Sequence, residues 1–498
     1  MPLHFLLLCA LLLCNVLLRT FTNGFQVLPK IFNVIDIPIV ALLFILSLAH
    51  RGKATPLSWA RTISRRLLWF CVVLVLGAAL NPGYFYLPAA LSQVVMLVEP
   101  ILLFVALTNL PITEQQITTY SRLLHKLVIL QIAIGVLQLP ARIQTGNSEA
   151  VHGTFTGNAE QYAAFLMIGI FYLIGLASLS PHKRKRYILA ILLILVLAVS
   201  VDNKASWLGT ACALALVLWR LDLLKLQQFR TLGPILLILS LGVGIAFLAT
   251  RTSSSLIKYQ RLWEVLSSGN ATQLGKVKAY IDIARSHLTH PHMIFVGAGP
   301  STMYSRASRQ FYLDATSRQT LYMNPDVASA ELQDVRMSRD AASSAMQGVV
   351  TRTYRAPYYL NFYSGREAIW AIGSGQVDTP FSPYAGLLGE TGVLGFLLYV
   401  GIYGMTLRRL ASMLPVARQH VGAFPILTAA GGLMLYILVN SVYGPFLETT
   451  RYTTLLWSMV ALCAIQCRTE DLRDFESVVP YTFQTEGEAV AVSQPEPV

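Results

Sequence analysis

The sequence predicts an all-helical protein that crosses a membrane about twelve times, and three observations lead to this fold class. Of the 498 residues, 54% are apolar and only 13% are charged, whereas a soluble domain carries about a quarter of charged residues. The mean hydropathy is +0.55. Apolar runs also recur at about the 20-residue length that a helix needs to cross the hydrocarbon core. These observations exclude an ordinary soluble multidomain protein.

Twelve apolar runs mark the predicted spans. They lie within residues 3–18, 31–48, 67–80, 86–107, 123–139, 162–179, 187–199, 206–219, 232–248, 384–405, 424–442 and 452–467. The first run resembles the core of a signal peptide but lacks a basic start and a small-residue cleavage site, so we expect an uncleaved first helix. The seventh and eighth runs are short, and residues 200–205 between them are either the tip of a hairpin or an interruption in one helical region.

The distribution of charge predicts the orientation of the spans. Residues 51–66, after the second run, contain five Lys or Arg, and residues 183–186, after the sixth run, are all basic. Further cations follow the eighth and tenth runs, while the intervening short loops are nearly uncharged. Because cytoplasmic loops retain Lys and Arg, both termini are predicted to be cytoplasmic. This bias explains much of the net charge of +13 without a nucleic-acid partner.

One connection is far longer than a turn, and it divides the chain into four parts. Residues 1–249 hold spans one to nine, residues 250–383 form a large outer loop with amphipathic helices, residues 384–467 hold spans ten to twelve, and residues 468–498 are an acidic tail predicted to be disordered. The outer loop carries fourteen Lys or Arg against nine Asp or Glu between residues 251 and 378. Such a field suits an anionic ligand, although a solvated positive surface would explain any single cation equally well.

Basic residues at two places are candidates for holding a phosphate. Lys204 begins the eighth run and is followed by small residues, so it either binds a phosphate or extends to the membrane interface. Helical spacing groups Lys278 and Arg285 on one face, with Lys276 half a turn away. That face suits a diphosphate, or else it belongs to an amphipathic helix lying on anionic lipid head groups.

Three histidines follow this face, at 287, 290 and 292. A metal site there is disfavoured, because no Asp, Glu or Cys at ligand spacing completes the set. A polar helix end beside Pro291 is the better interpretation. The aromatic residues of the outer loop, from Tyr304 to Trp370, either stack against sugar rings or form a small core within the loop.

Carboxylates inside apolar sequence are functional candidates, because they are costly in a membrane. Asp378, before the tenth run, is either a general base or a helix cap, and Glu390 within that run is either functional or pairs with a basic side chain to hold the bundle together. Asp36 and Glu99 are further buried candidates. They favour a proton-coupled transporter, although no internal repeat is detectable.

Four stretches, taken in order, resemble the bacterial O-antigen polymerase and ligase superfamily of membrane glycosyltransferases. Residues 153–163 (GTFTGNAEQYA), which include Asn158, are similar to the family's GTF-GNPN-x-x-A pattern, and residues 204–209 (KASWLG) to its SRGAWLG element. Gly275-Lys276 with Pro291 and residues 297–299 (GAG) resemble the GR…hP…G-G element. Residues 384–395 (YAGLLGETGVLG) resemble the HN-x-YL…AE-x-G-x-x-G signature.

The resemblance implies a GT-C-like fold and a glycosyl transfer that inverts the anomeric carbon without a metal or cofactor. Donor and acceptor would be undecaprenyl-diphosphate-linked saccharides at the periplasmic face of the bacterial inner membrane, and a chain-length regulator and a flippase would be partners. Lys204 and Lys276 fall on the family's two arginines, with Lys278 and Arg285 as further diphosphate-binding residues. Asp378 would act as the base, with Glu390 and Asn158 in supporting positions.

Departures from the family pattern affect which member is expected. Both arginines are replaced by lysines, which keep the charge but lose the bidentate guanidinium. The signature histidine of ligases falls on Phe381, which cannot transfer a proton. A repeat-unit polymerase is therefore expected before a lipid A core ligase, and a non-enzymatic polysaccharide or proton-coupled transporter is the alternative from another class.

Overall fold

A computed structural model describes residues 2–29, 32, 34–50, 58–82, 87–145, 150–156, 158–201, 206–221, 267, 275–303, 305, 382–415, 422–442, 444 and 446–466. Within these ranges the chain is helical and contains no strand. The helices are α1 Leu3–Arg19, extended by a π-helical turn at Thr20–Gly24, α2 Asp36–Ala49, α3 Ser58–Leu80, α4 Leu87–Thr108, α5 Glu114–Thr145, α6 Ala159–Leu179, α7 Arg184–Ser200, α8 Ser206–Arg220, α9 Gly275–Thr289, α10 His292–Val296, α11 Pro383–Met413, α12 Phe424–Asn440 and α13 Thr450–Gln466.

The apolar runs coincide with helices wherever the structure describes them, and the run at 232–248 lies outside the described residues. In the part of the chain that the structure describes, six helical stretches are long and apolar enough to cross a membrane: Leu3–Gly24, Ser58–Leu80, Ala90–Thr108, Glu114–Gln144, Ala159–Leu179 and Pro383–Met413. Three shorter apolar helices accompany them, at Asp36–Ala49, Leu208–Arg220 and Phe424–Asn440. The protein is therefore an all-helical protein with membrane-spanning helices.

Several helices are longer than their apolar runs, and α3 and α5 show how. α3 begins at Ser58, nine residues before the predicted run, and α5 extends that run at both ends. The additional residues of α3 include Arg61, Arg65 and Arg66, which are compatible with a helix although they are not apolar. Hydropathy therefore locates the hydrocarbon-length part of a helix and not its ends.

Hydrogen bonds between helix ends show which helices finish at the same end of the bundle. Where α5 and α7 end, the Arg142 guanidinium donates to the carbonyl of Ser200 at 3.2 Å. At the opposite end of the bundle, Arg220 at the end of α8 donates to the carbonyl of Ala411 in α11 at 2.7 Å. α7 and α8 therefore run in opposite directions, as the hairpin alternative requires. We call the end where α3 and α12 finish and α11 begins the site end.

Small residues let the central helices approach closely. α12 packs against α6, α8 and α13. Gly175 of α6 lies against the backbone of Pro425, and Gly432 of α12 lies under the ring of Phe171. Helices inside a membrane gain from such close contact because hydrocarbon provides no hydrophobic drive for their association. The side chains of α6, α12 and α13 are consequently buried along nearly their whole length.

Two short helices, α9 and α10, are the main described parts of the predicted outer loop, and they lie outside the central core. Of the predicted outer loop, the structure describes α9, α10 and a few residues around them, and the acidic tail 468–498 lies outside the described residues. α9 ends at Thr289, two residues before Pro291, as the sequence predicts. α10 packs against α3 and α11, which places both short helices at the site end.

Candidate functional site

The site is organised around a break in α11. Gly392 has φ 63° and ψ −172°, which interrupts the helix about two and a half turns after its start at Pro383. The carbonyls of Gly389 and Glu390 instead accept hydrogen bonds from the backbone N–H groups of Ala298, at 2.9 Å, and Gly299, at 3.0 Å. Irregular backbone at membrane depth is tolerated only where protein groups satisfy it in this way.

Two glycines make this backbone pairing possible. A Cβ atom on Gly297, whose φ is 70°, would overlap the backbone of Glu390 and Thr391. A Cβ atom on Gly392 would lie 2.5 Å from the carbonyl carbon and oxygen of Phe295. Both residues also have backbone angles that side chains exclude. Glycine is therefore required on each side of the contact.

The carboxylate of Glu390 fixes the residues that follow this pairing. It is 1% exposed. The backbone N–H of Ser301 donates to Oε2 at 2.7 Å, and that of Met303 donates to Oε1 at 3.2 Å. The side chain of Ser305 forms a further hydrogen bond to the same group. We call residues 297–303 and 305 together with residues 389–392 the Glu390 clamp.

The expectation that a basic side chain pairs with Glu390 is thus replaced by a different arrangement in the described residues. Main-chain amides provide a concentrated set of donors, as they do in anion-binding turns, so no cation is required to hold the carboxylate. The side chain still holds the bundle together, as one of the two alternatives proposed. Its full set of donors favours a positioning role over that of a base.

The end of α3 anchors the clamp from a second side. The amide nitrogen of Asn81 donates to the carbonyls of Gly77, at 2.9 Å, and Gly297, at 3.2 Å. Nε2 of His292 lies 3.0 Å from Oδ1 of the same amide. Gly77 lies against the carbonyl of Val296, so the helix approaches without a side chain between them. The clamp is therefore fixed between α3 and α11.

A second buried carboxylate lies beside Glu390. Glu448 precedes α13, is 2% exposed and interacts electrostatically with Glu390. The amide nitrogen of Gln93 in α4 donates to its Oε1 at 2.9 Å. Gly386, one turn before Glu390, leaves room for this oxygen. The sequence analysis did not identify Glu448, Gln93 or Asn81 as site residues. Of the three, Glu448 could have been recognised, because it is a carboxylate between two apolar runs.

Some of the predicted site residues lie in the described part of the chain, and others lie outside it. Lys204 and Asp378 lie outside the described residues. Lys276 and Lys278 lie on α9, whose backbone is described at both positions but whose side chains there are not. Arg285, on the same helix, is exposed. The structure brings α9 to the clamp, since Ile283 packs against Gly389.

The predicted polar helix end at the three histidines is present. His290 and His292 lie with their ring centroids 6.1 Å apart, in the turn between α9 and α10. His287 is buried, and burial lowers its pKa from the ordinary value of 6.5. Among the described residues, no group of three His, Cys, Asp or Glu could hold a metal ion.

Asn158 has a structural position. Its side-chain oxygen accepts a hydrogen bond from the backbone N–H of Gln161 at 2.9 Å and so caps the start of α6. Capping satisfies an amide that would otherwise lack a partner in the first turn of the helix. The start of α6 lies at the site end, because α6 and α12 are antiparallel and α12 finishes there. No contact between Asn158 and the clamp is described.

The fold and this site define a class: an all-helical membrane protein in which the chain after two short helices, α9 and α10, is hydrogen-bonded to a broken membrane helix, α11. No protein family model matches the chain, and no curated protein sequence matches it. The function must therefore be argued from the site and from the motifs.

Proposed function

We propose that the protein is a membrane glycosyltransferase that polymerises undecaprenyl-diphosphate-linked oligosaccharide repeat units. The observation that carries this proposal is the Glu390 clamp. Residues 297–299 and residues 389–392 resemble two separate motifs of the glycosyltransferase superfamily, and here they hydrogen-bond directly to each other. A resemblance that arose by chance would give no reason for the two stretches to meet.

The reaction transfers a growing saccharide from its lipid diphosphate to an incoming repeat unit. A hydroxyl oxygen of the acceptor sugar attacks the anomeric carbon, the bond from that carbon to the diphosphate oxygen breaks, and the configuration inverts. The acceptor proton passes to a base, for which Asp378 is the proposed group. Negative charge grows on the departing diphosphate, so cations beside it stabilise the transition state more than the bound donor.

Lysines 204 and 276 are the proposed catalytic cations, with Lys278 and Arg285 as further contacts to the diphosphate. α9 supports this role because the Glu390 clamp holds it at the site end, with Arg285 exposed and Ala279 buried. Glu390 acts through the position of residues 301–305, not by contact with the sugar. Asn158 supports the site by capping α6.

The proposed membrane plan has about twelve spans, both termini in the cytoplasm of a bacterial cell and residues 250–383 as a periplasmic loop. Two contacts support it. α8 finishes at the end opposite the site end, where Arg220 contacts α11, whereas α9 lies at the site end. One further crossing between them, as proposed for residues 232–248, connects the two positions.

The test compares surface glycans and lipid-linked saccharides from cells with the native protein, without it, or with single variants. Loss of the protein should leave single repeat units on lipid and no long chains. Lys204→Ala and Lys276→Ala should give the same profile at normal membrane levels. Lys185→Ala is the matched control, since it removes an exposed cation at the start of α7, at the opposite end of the bundle.

Two other profiles would contradict the polymerase. Long chains that accumulate on the lipid carrier would indicate a ligase. Unchanged glycans would favour the proton-coupled transporter, the second candidate, for which the burial of Asp36 and Glu99 within the helices is the specific observation. Full-length polymer from both lysine variants would refute the catalytic roles given to those residues.

A further inference from the structure

A buried carboxyl group in α4 has no hydrogen-bond partner among the described residues. Glu99 lies in the middle of the helix and is 5% exposed. Both of its oxygen atoms are buried without a partner in the part of the chain that the structure describes. An ionised carboxylate in such surroundings would carry a large desolvation penalty with nothing to offset it.

The charged groups around Glu99 do not balance. Asp36, at the start of α2, interacts electrostatically with Glu99, and Arg451, in the first turn of α13, interacts with Asp36. α4 packs against both α2 and α13. The thiol of Cys14 on α1 also faces Asp36 and Arg451. Arg451 therefore offsets the charge of Asp36, whereas the negative charge that an ionised Glu99 would carry remains to be neutralised.

The two carboxyl groups are not equivalent. Asp36 has Arg451 beside it and accepts hydrogen bonds from backbone N–H groups at the start of α2, its own and that of Ile37. These contacts favour the ionised form of Asp36. Glu99 has only a like charge as its neighbour. Glu99, and not Asp36, is therefore the carboxyl group that takes up a proton.

We propose that Glu99 is an exchangeable proton-binding site inside the helical bundle, and that Asp36 and Arg451 control its occupancy. The site is separate from the proposed glycosyl transfer and does not depend on it. When the proton leaves, a second negative charge appears beside Asp36, so the electrostatic interaction of Asp36 on α2 with Arg451 on α13 changes with the protonation state. Arg451 lies three residues after Glu448, the carboxylate that interacts with Glu390. The start of α13 therefore connects the proton site to the Glu390 clamp.

Labelling with N,N′-dicyclohexylcarbodiimide tests the proposal, because this apolar reagent modifies protonated carboxyl groups in apolar surroundings. The full-length protein in detergent is treated at several pH values, and peptides are analysed by mass spectrometry. We expect an adduct on Glu99 at neutral pH that decreases in alkaline buffer and is lost in Glu99→Gln. This variant should keep its thermal stability, since a neutral amide replaces a neutral acid of similar shape.

A second variant tests the control by the neighbouring charges. Asp36→Asn removes the like charge beside Glu99, which makes ionisation of Glu99 less costly, so the adduct on Glu99 should decrease severalfold. Unchanged labelling in this variant would overturn the role of Asp36. No adduct on Glu99 at any pH, or modification of Glu390 in its place, would overturn the proton site. Suppression of the adduct by Na⁺ at constant pH and ionic strength would assign the site to a metal cation instead.

Discussion

Replacing Gly392 by alanine tests whether the break in α11 holds the site together. The residue joins the two parts of the helix, and its backbone angles place it in a region that side chains avoid. Alanine would either force the helix to continue, which withdraws the two carbonyls from Ala298 and Gly299, or remain in a strained conformation. In both cases the Glu390 clamp is weakened.

The magnitude follows from two contributions. Holding alanine at φ 63° and ψ −172° costs about 1–3 kcal/mol. The new Cβ would lie 2.5 Å from the carbonyl group of Phe295 and 2.7 Å from the nitrogen of Gly297. These atoms are backbone and cannot rotate away, so overpacking adds about 1–3 kcal/mol. The expected loss of stability is therefore about 2–6 kcal/mol.

The same helix provides the control. A Cβ atom on Gly404 meets nothing within 4 Å, so Gly404→Ala should stabilise α11 by about 1 kcal/mol through helix propensity. The assay is thermal denaturation of the two purified variants in one detergent, followed by amide hydrogen exchange at residues 298 and 299. Gly392→Ala should melt lower and exchange faster. Equal melting temperatures and equal protection in the two variants would refute the account of the clamp.

Two other predictions concern residues at the site end. Asn158→Ala should lower stability by about 0.5–2 kcal/mol because α6 loses its cap, and Asn158→Asp should restore it in the same thermal assay; a catalytic amide would not be rescued by aspartate. For His287, burial lowers the pKa in the folded state, so the unfolded chain binds more protons below about pH 6.5 and stability falls as the pH is lowered from 7 to 5. His287→Gln should flatten that slope, and an unchanged slope would assign the pH dependence to other groups.

The sequence predicted the helices well because lipid leaves few alternatives. A spanning segment must satisfy its own backbone, so an apolar run of sufficient length is helical. Helix ends were less predictable. Arginines at the start of α3 and polar residues at the start of α5 are compatible with a helix, and neither changes the hydropathy signal in a way that marks where the helix begins.

The site was only partly predictable, because its groups meet through backbone contacts. Glu390 was recognisable as a carboxylate in an apolar run, but its partners are amides of residues 301 and 303, which any sequence provides. The contact of Asn81 with Gly297 joins positions far apart in the chain, and no local pattern indicates it. The glycines of both motifs can be seen in the sequence. That they contact each other is seen only in the folded structure.

The Glu390 clamp also determines where the chain between residues 305 and 382 leaves and re-enters the helical bundle. Ser305 lies against Gly386, and the Tyr280 hydroxyl hydrogen-bonds to Ser382, so the two boundaries of the intervening chain are adjacent. Closing a longer loop costs little, about 0.6 kcal/mol for each doubling of its length. This insertion point therefore allows the segment between residues 305 and 382 to be exchanged for one of another length or sequence while the helical scaffold stays intact.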